Sequence, residues 1–446
     1  MAYEKKRHTP SGGRRPFGNS SRPSGSRSGG RRFGGGRGGG KGPKKENIHP
    51  SKFIKAAVVA KKEEVYVPKN TFADFKVIPI LARNIAARKF ITPSPIQDQS
   101  IPVSLEGGDI IGIANTGTGK TVAFGIPVID RLLRNRKSKV IIMAPTRELA
   151  GQILDELRTL TRSSPLKTAL LIGGSPMYAQ LRDLKHRPQI IIGTPGRIKD
   201  HLERKSLNLT EFDTVVLDEV DRMLDMGFVN DMRAILGKMK KERQSYFFSA
   251  TMDPKVRSLI NEFSHEAVTV SVKTGDTSDN VEQSVVQYKS LEDKMEKLQE
   301  ILKSNDDNKV LIFDETKRGV ERLSKSLIMR GFKTESIHGD KSQGQRQRAL
   351  LNFKRNKARI MIATDVAARG IDVPDITHVI NYATPQSYSD YVHRIGRAGR
   401  AGKTGQAMTF VDEIAILAAS RTPAYASRSR QNARPVRSRS HRPYKR

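Results

Sequence analysis

Thirteen short runs of β-branched and other apolar residues recur between residues 109 and 411, each bounded by a helix-length segment or by turn residues. Seven come first: Asp109–Ala114, Lys139–Ala144, Thr168–Ile172, Gln189–Gly193, Thr214–Asp218, Gln244–Ser249 and Ala267–Val272. Six follow: Val281–Tyr288, Lys309–Phe313, Lys333–Ile337, Arg359–Ala363, His378–Tyr382 and Gln406–Val411. Runs such as "KVIIMA" and "KVLIF" are apolar without alternation, which is how a strand covered on both faces reads. Strands separated by helical segments predict parallel sheets with helices on both sides, an α/β fold. The polar stretch "KTGDTSDN", Lys273–Asn280, divides the two sets and reads as a linker. Two α/β domains with a hinge follow, and the cleft between such domains is the expected ligand site.

Outside this span the patterning stops. Residues 8–45 are mostly Gly, Arg, Ser and Pro, as in "GGRRFGGGRGGGKGPKK". Such a segment cannot bury a core and is expected to be disordered. Residues 421–446 form a second basic tail. The expected division is a basic tail over 1–64, a first domain over 65–272, the linker 273–280, a second domain over 281–415 and a basic Arg/Ser-rich tail over 416–446.

Charge changes the picture next. The 446-residue chain carries +34, of which residues 1–50 hold +11, residues 421–446 hold +9 and the remainder +14. Solubility needs only ~2–8 charges, so a polyanionic partner is the natural reading, nucleic acid before anionic membrane. Arg-Gly segments bind single strands through charge and guanidinium stacking, with Phe17 and Phe33 as further stacking candidates; a plain flexible tail is the alternative. The absence of Cys excludes disulfides, thiolate zinc sites and Cys nucleophiles. The first 50 residues show no signal-peptide pattern, and no run approaches the ~20 apolar residues of a membrane span. The expectation is a soluble cytoplasmic protein with no membrane partner.

The chemistry lies at strand ends. "ANTGTGKT", Ala114–Thr121, follows the run "DIIGI" and precedes the helical pattern "VAFGIPVIDRLL". That strand–loop–helix setting is what a phosphate-binding P-loop requires. Gly117 and Gly119 let backbone N–H groups close on phosphate oxygens, Lys120 adds a point charge, and the Thr121 hydroxyl can ligate Mg²⁺. "TVVLDEVDRML", Thr214–Leu224, puts Asp218, Glu219 and Asp221 where a buried strand leaves its sheet, the place where open α/β sheets bind ligands. A solvated loop is the plain alternative. Beside a P-loop, Asp218 can hold Mg²⁺ directly or through water. Glu219 can orient or deprotonate an attacking water. Asp221 is better placed to couple this site to the next motif.

With these motifs in hand the chain resembles the DEAD-box RNA helicases of helicase superfamily 2, over residues 70–412. "FITPSPIQ", ending at Gln97 with Phe72 upstream, resembles the adenine-reading Q motif. "PTRELA" (Pro145–Ala150), Gly173–Gly174 and "TPGR" (Thr194–Arg197) resemble the RNA-backbone motifs. "SAT" (Ser249–Thr251) resembles the coupling motif, and "LIF" (Leu311–Phe313), "QGQR" (Gln343–Arg346), "ATDVAARGID" (Ala363–Asp372) and "HRIGRAGR" (His393–Arg400) complete the set. Two positions depart from the pattern. Val220 stands where the signature has Ala, adding two methyls that must fit under the P-loop. Lys89 stands where the Q motif begins with Gly.

The resemblance implies two tandem RecA-like domains, ATP and Mg²⁺ as cofactors, and RNA as partner. It implies that Ala114, Asn115, Thr116, Gly117, Thr118, Gly119, Lys120 and Thr121 cradle the phosphates, that Gln97 and Phe72 hold the adenine, and that Asp372 meets the ribose. Arg397 and Arg400 would reach the γ-phosphate from the second domain as arginine fingers, a role that suits an always-charged, forked guanidinium. Asp221, Ser249, Thr251 and His393 would couple the sites. Arg147, Gly173, Thr194, Arg197, Arg346 and Thr364 would contact RNA backbone, each with a surface salt bridge or helix cap as its plain alternative. The implied function is ATP hydrolysis on RNA binding, to unwind short duplexes or remodel RNA–protein complexes. A DNA translocase is disfavoured by Gln97 and the "DEVD"–"SAT"–"HRIGRAGR" set. A non-enzymatic RNA chaperone would have lost Lys120, Glu219 or Arg400, and all three are present.

Overall fold

Every one of the thirteen apolar runs forms a strand, with ends within one residue of those read from the pattern. The computed structural model describes residues 48, 50–55, 66–115, 117–264, 266–272, 280–305, 308–368, 373, 375–399 and 404–414. Most of the first expected tail, all of the second and residues 273–279 of the expected linker lie outside the described residues, as do Thr116, Asp372 and Arg400.

The first sheet contains β1 (Ile110–Ala114), β2 (Val140–Met143), β3 (Thr168–Leu171), β4 (Ile190–Gly193), β5 (Thr214–Asp218), β6 (Gln244–Ser249) and β7 (Val268–Val272), in the order β3-β4-β2-β5-β6-β1-β7. All its pairings are parallel. Successive side chains point to opposite faces. Val140, Ile142, Ile190, Ile192, Val216 and Phe248 therefore enter one core layer, and Ile141, Met143, Ile191, Val215, Leu217 and Phe247 the other. This double covering is why the runs show no alternation.

The second sheet contains β8 (Val281–Tyr288), β9 (Val310–Phe313), β10 (Thr334–Ile337), β11 (Ile360–Ala363), β12 (His378–Asn381) and β13 (Gly405–Asp412), in the order β10-β11-β9-β12-β13-β8. It too is parallel throughout. Leu311, Phe313, Met361, Ala363 and Val379 fill one face, and Val310, Ile312, Ile360, Ile362 and Ile380 the other.

Strand order places the motifs. The P-loop, "SAT" and "DEVD" leave the carboxyl ends of three adjacent strands, β1, β6 and β5. "PTRELA", "TPGR" and the Gly173–Gly174 pair leave the neighbouring three, β2, β4 and β3. One edge of one sheet thus carries the P-loop, "SAT" and "DEVD" on one half and the motifs expected to contact RNA backbone on the other.

Two local findings qualify the sequence reading. The tail expected to run to residue 64 does not hold for Pro50–Lys55. Pro50–Phe53 is a 3-10 turn, and Phe53, 2 % exposed, belongs to the core of the second domain. The Phe53 ring, the Lys55–Gln283 backbone pair and Lys52 over the Tyr388 ring at 5.3 Å help order this segment, and partners so distant in sequence leave no periodicity. Second, the turn after helix Pro79–Ala87 is made by Lys89 itself at φ +55°. Its N–H reaches the Ala86 carbonyl at 2.9 Å. The turn that Gly would make survives, at a cost of ~1–2 kcal/mol for a left-handed L-residue.

Candidate active site and nucleic-acid face

The P-loop closes on a helix that begins at Lys120. Gly117 and Gly119 have φ +85° and +90°, a left-handed backbone that Gly adopts without steric cost. Gly119 is needed for a second reason, since a Cβ there would lie 2.3 Å from Gln97 Nε2. Gln97 is buried: its Nε2 donates to the Gly119 carbonyl at 3.0 Å and its Oε1 accepts from the Ser94 N–H at 2.9 Å. Ser94 Oγ donates to the Thr118 carbonyl at 2.7 Å. The helix Pro95–Leu105 therefore grips the loop through Ser94 and Gln97. Thr118 Oγ1 donates to the Asn115 carbonyl at 2.9 Å, and Lys120 Nζ donates to that of Ala114 at 3.0 Å. Phe72 is buried, its ring stacked on Phe90 at 5.4 Å and edge-on to Phe75 at 5.7 Å.

Beside the loop, Asp218 and Glu219 are 2 % and 4 % exposed. Burial pushes the Asp218 carboxyl up to about 6, against the pull of Lys120. Burial acts on Glu219 in the same direction, but the charges of Arg222, Lys120, Arg397 and His393 overcome it and hold Glu219 below the ordinary glutamate range. Arg397 and His393 belong to the second domain, so that domain's charge acts on this carboxylate of the first. Glu219 has φ +57°, a strained backbone for a non-Gly residue and one that clusters at functional sites. Val220 is fully buried in the first domain's core, so its two extra methyls are accommodated.

Asp221 carries the link to the neighbouring strand. Its Oδ2 accepts from the Ala250 N–H at 3.1 Å, the Thr251 N–H at 3.0 Å and Thr251 Oγ1 at 3.2 Å. Ser249 Oγ accepts from the Asp221 N–H at 3.4 Å.

For Mg²⁺ the residues fit. Asp218 Oδ1 is buried with no hydrogen-bond partner, and the Thr121 hydroxyl belongs to the first turn of the P-loop helix. Among the described residues no group of three or more His, Cys, Asp or Glu could hold a metal.

On the other half of the edge, Arg147 lies over the glycine pair. A Cβ on Gly174, at φ +76°, would sit 2.1 Å from Arg147 Nη1. Thr194 is buried at the start of helix Pro195–Glu203. Arg197 donates to the Ser175 carbonyl at 3.3 Å and faces Asp200 at 3.6 Å. Thr364 follows β11, its N–H reaching the Ile337 carbonyl at 3.4 Å. Arg346 is 7 % exposed and pairs at 2.9 Å with Glu148, itself 5 % exposed. This pair joins the "QGQR" helix of the second domain to "PTRELA" of the first.

Three participants escaped the sequence reading. Arg222 faces Glu219 at 3.4 Å, both side chains 5 % exposed; its i,i+3 position at a helix start was the available signal. Glu148 acts across domains and Phe53 on a partner far along the chain, and no local pattern announces them.

Two parallel sheets, a P-loop beside buried carboxylates and a second row of Arg-bearing motifs at strand ends define the class, a two-domain P-loop protein. Comparison with known proteins narrows this. A family model for DEAD/DEAH box helicases matches residues 94–260, and one for the helicase conserved C-terminal domain matches residues 293–402. Two curated relatives are named ATP-dependent RNA helicase CshA. The one from Listeria monocytogenes is 43 % identical over 342 residues, 76 % of this chain and 66 % of its own length. The one from Limosilactobacillus reuteri is 42 % identical over 76 % of this chain and 69 % of its own length. Among solved structures, Saccharomyces cerevisiae Dbp5 bound to RNA and ADP BeF3 superposes with a TM-score of 0.68 at 30 % identity, covering 78 % of this chain and 92 % of that one. The DEAD-box helicase Mss116 bound to ssRNA and UDP-BeF gives 0.70 at 30 % identity, covering 78 % and 77 %. The chain belongs to the DEAD-box family of ATP-dependent RNA helicases, with tandem RecA-like domains.

Proposed function

We propose that this chain hydrolyses ATP in response to RNA and uses the cycle to separate short RNA duplexes locally or to remodel RNA–protein complexes. The observation that carries the reading is the Asp221 carboxylate, which ties "SAT" on β6 to the strand end holding Asp218 and Glu219. A change at the phosphates on β1 and β5 can thereby move the strand between them. Lys120, now on the Ala114 carbonyl, would exchange that partner for phosphate oxygens. Glu219 would orient the attacking water and take its proton, its charge maintained by Arg222 and the opposing cations. Arg397, with Arg400, would stabilise charge developing on the transferring phosphoryl once the cleft closes. Asp218 and Thr121 would hold Mg²⁺, which when bound shields the phosphate charge. Gln97 and Phe72 would shape the adenine end, and Asp372 the ribose.

RNA would lie over β2, β4 and β3, gripped through sugar and phosphate by Arg147, Gly173, Thr194 and Arg197 and, from the second domain, by Thr364 and Arg346. Arg346 would trade Glu148 for a phosphate. His393 would report nucleotide state from the second domain. Contacts to backbone rather than bases make the core nearly blind to sequence. The domains proposed are 65–272 and 281–415 around the linker 273–280, with residues 50–55 added to the second. A cytoplasmic location is proposed on the Cys-free composition; among the described residues no helix is long and apolar enough to cross a membrane.

The test compares ATPase stimulation by RNA and by DNA of the same sequence. Stimulation by RNA alone is expected; equal stimulation by both would favour a DNA translocase.

A further inference from the structure

Pro50–Lys55 precedes the first domain in the chain and packs on the second. The Phe53 ring lies 4.8 Å from that of Tyr391, in the same core as Val281 and Ile395. Lys55 pairs antiparallel with Gln283 of β8, its N–H reaching the Gln283 carbonyl at 3.1 Å and its carbonyl accepting the Gln283 N–H at 2.8 Å. Gln283 is buried, and its Oε1 accepts from the Tyr391 hydroxyl at 2.9 Å. The segment thus fills a space in the second domain's core and covers part of an edge strand that would otherwise leave its backbone groups open.

Its docking helix is the one that serves the cleft. Tyr391 lies on Tyr388–Ile395, which also carries His393 and leads directly to Arg397. Arg394 of the same helix is held by Asp365 through two bonds of 2.6 and 2.7 Å. On the other side the chain is anchored to the first domain at Tyr66, whose hydroxyl donates to Asp98 Oδ2 at 2.5 Å, and at Lys69, whose N–H donates to the same oxygen at 2.8 Å. Ten residues, 56–65, connect the anchors. A trans chain spans at most ~3.6 Å per residue, so docked anchors cannot part by more than ~40 Å.

We propose that Pro50–Lys55 is an interdomain brace: docked on β8 and Tyr391, it limits how far the second domain swings from the first and keeps the Tyr388–Ile395 helix, with Arg397 just beyond it, near the nucleotide. The functional part rests on the role given to Arg397 above. The brace acts on the open state, so it lowers the RNA concentration needed for closure and leaves the closed-state rate alone.

The test uses the full chain. It has no Cys, so Glu203→Cys and Lys325→Cys, one exposed site in each domain, report the interdomain distance by energy transfer. Without RNA or ATP, Phe53→Ala is expected to shift the distance distribution to longer values. It should raise the RNA concentration for half-maximal ATPase at least threefold, with kcat at saturating RNA within twofold. Phe53→Leu should restore both. Inserting ten Gly/Ser residues between residues 60 and 61 keeps the docking intact and doubles the tether, so half-maximal RNA should rise about threefold. An unchanged distance distribution in both the Phe53→Ala and insertion proteins would overturn the brace. So would an inert insertion beside a Phe53→Ala protein that merely loses folded fraction. If the distances respond in a chain whose ATPase ignores RNA, the brace stands and the activity reading falls.

Discussion

Glu219 shows how much a single residue is asked to tolerate. It is buried and left-handed in backbone, and the nearby charges, Arg222 first, outweigh burial and hold it below the ordinary glutamate range. Lys294 is the opposite case, a buried cation with no evident part in the cycle. Its Nζ sits 4.4 Å from the Tyr288 ring centroid and 4.2 Å from that of Tyr382. The rings attract it, as do Asp314 and Asp412, yet burial prevails and pulls its pKa down from 10.5 to about 8. The sign follows. Between about 8 and 10.5 the unfolded chain binds the proton and the folded chain does not, so stability rises with pH over that window. Lys294→Met should remove that rise and stabilise the second domain by ~1–3 kcal/mol at pH 7. Urea unfolding of both proteins at pH 7 and pH 10 checks this; a destabilised Met variant would mean that the aromatic contacts outweigh burial.

At the scale of elements, legibility followed burial. β2, β4 and β9 are apolar at every position because both sheet faces are covered, so their runs could be read without knowing what packs on them. The P-loop and "DEVD" were legible because their chemistry requires residues adjacent in sequence. Pro50–Phe53 was not, since its order depends on Tyr391, more than three hundred positions away. The Glu148–Arg346 pair was hidden for the same reason: Arg346 read alone suggested a phosphate contact or a surface salt bridge, and nothing named Glu148 as the partner. Lys120 and Arg397, proposed to act on the nucleotide from different domains, should separate kinetically. Lys120 begins the P-loop helix, so Lys120→Ala should mainly raise KM for ATP by removing a ground-state phosphate contact. Arg397 comes from the other domain and acts after closure, so Arg397→Ala should cut kcat by ~10²- to 10³-fold with little change in KM. Equal losses of ATP affinity in both would refute the assignment of Arg397 to the opposing domain's finger.

For the whole molecule the question is what the basic ends add to a core that already binds backbone. The chain carries +34, much of it at the two ends. If about five to eight of those charges neutralise single-strand phosphates, they steepen the dependence of log affinity on log salt by ~3–6, at ~0.7 per phosphate. Trimming to residues 46–415 spares the Phe53 brace. It should flatten the slope by that amount, raise half-maximal RNA at low salt and keep ATPase at saturating RNA. An unchanged slope would show that the ends do not touch RNA.

Glu219 is the group proposed to activate water in a site coupled to RNA. Glu219→Gln is isosteric and keeps a hydrogen-bonding oxygen, but it cannot serve as a base. Single-turnover hydrolysis with saturating ATP, Mg²⁺ and single-stranded RNA measures this most directly, with RNA retention followed in the same mixture. The expected result is a rate lower by ~10²- to 10⁴-fold, with ATP still bound and RNA held far longer than by the wild-type chain. Wild-type hydrolysis by Glu219→Gln, or RNA released at the wild-type rate while ATP stays intact, would contradict it.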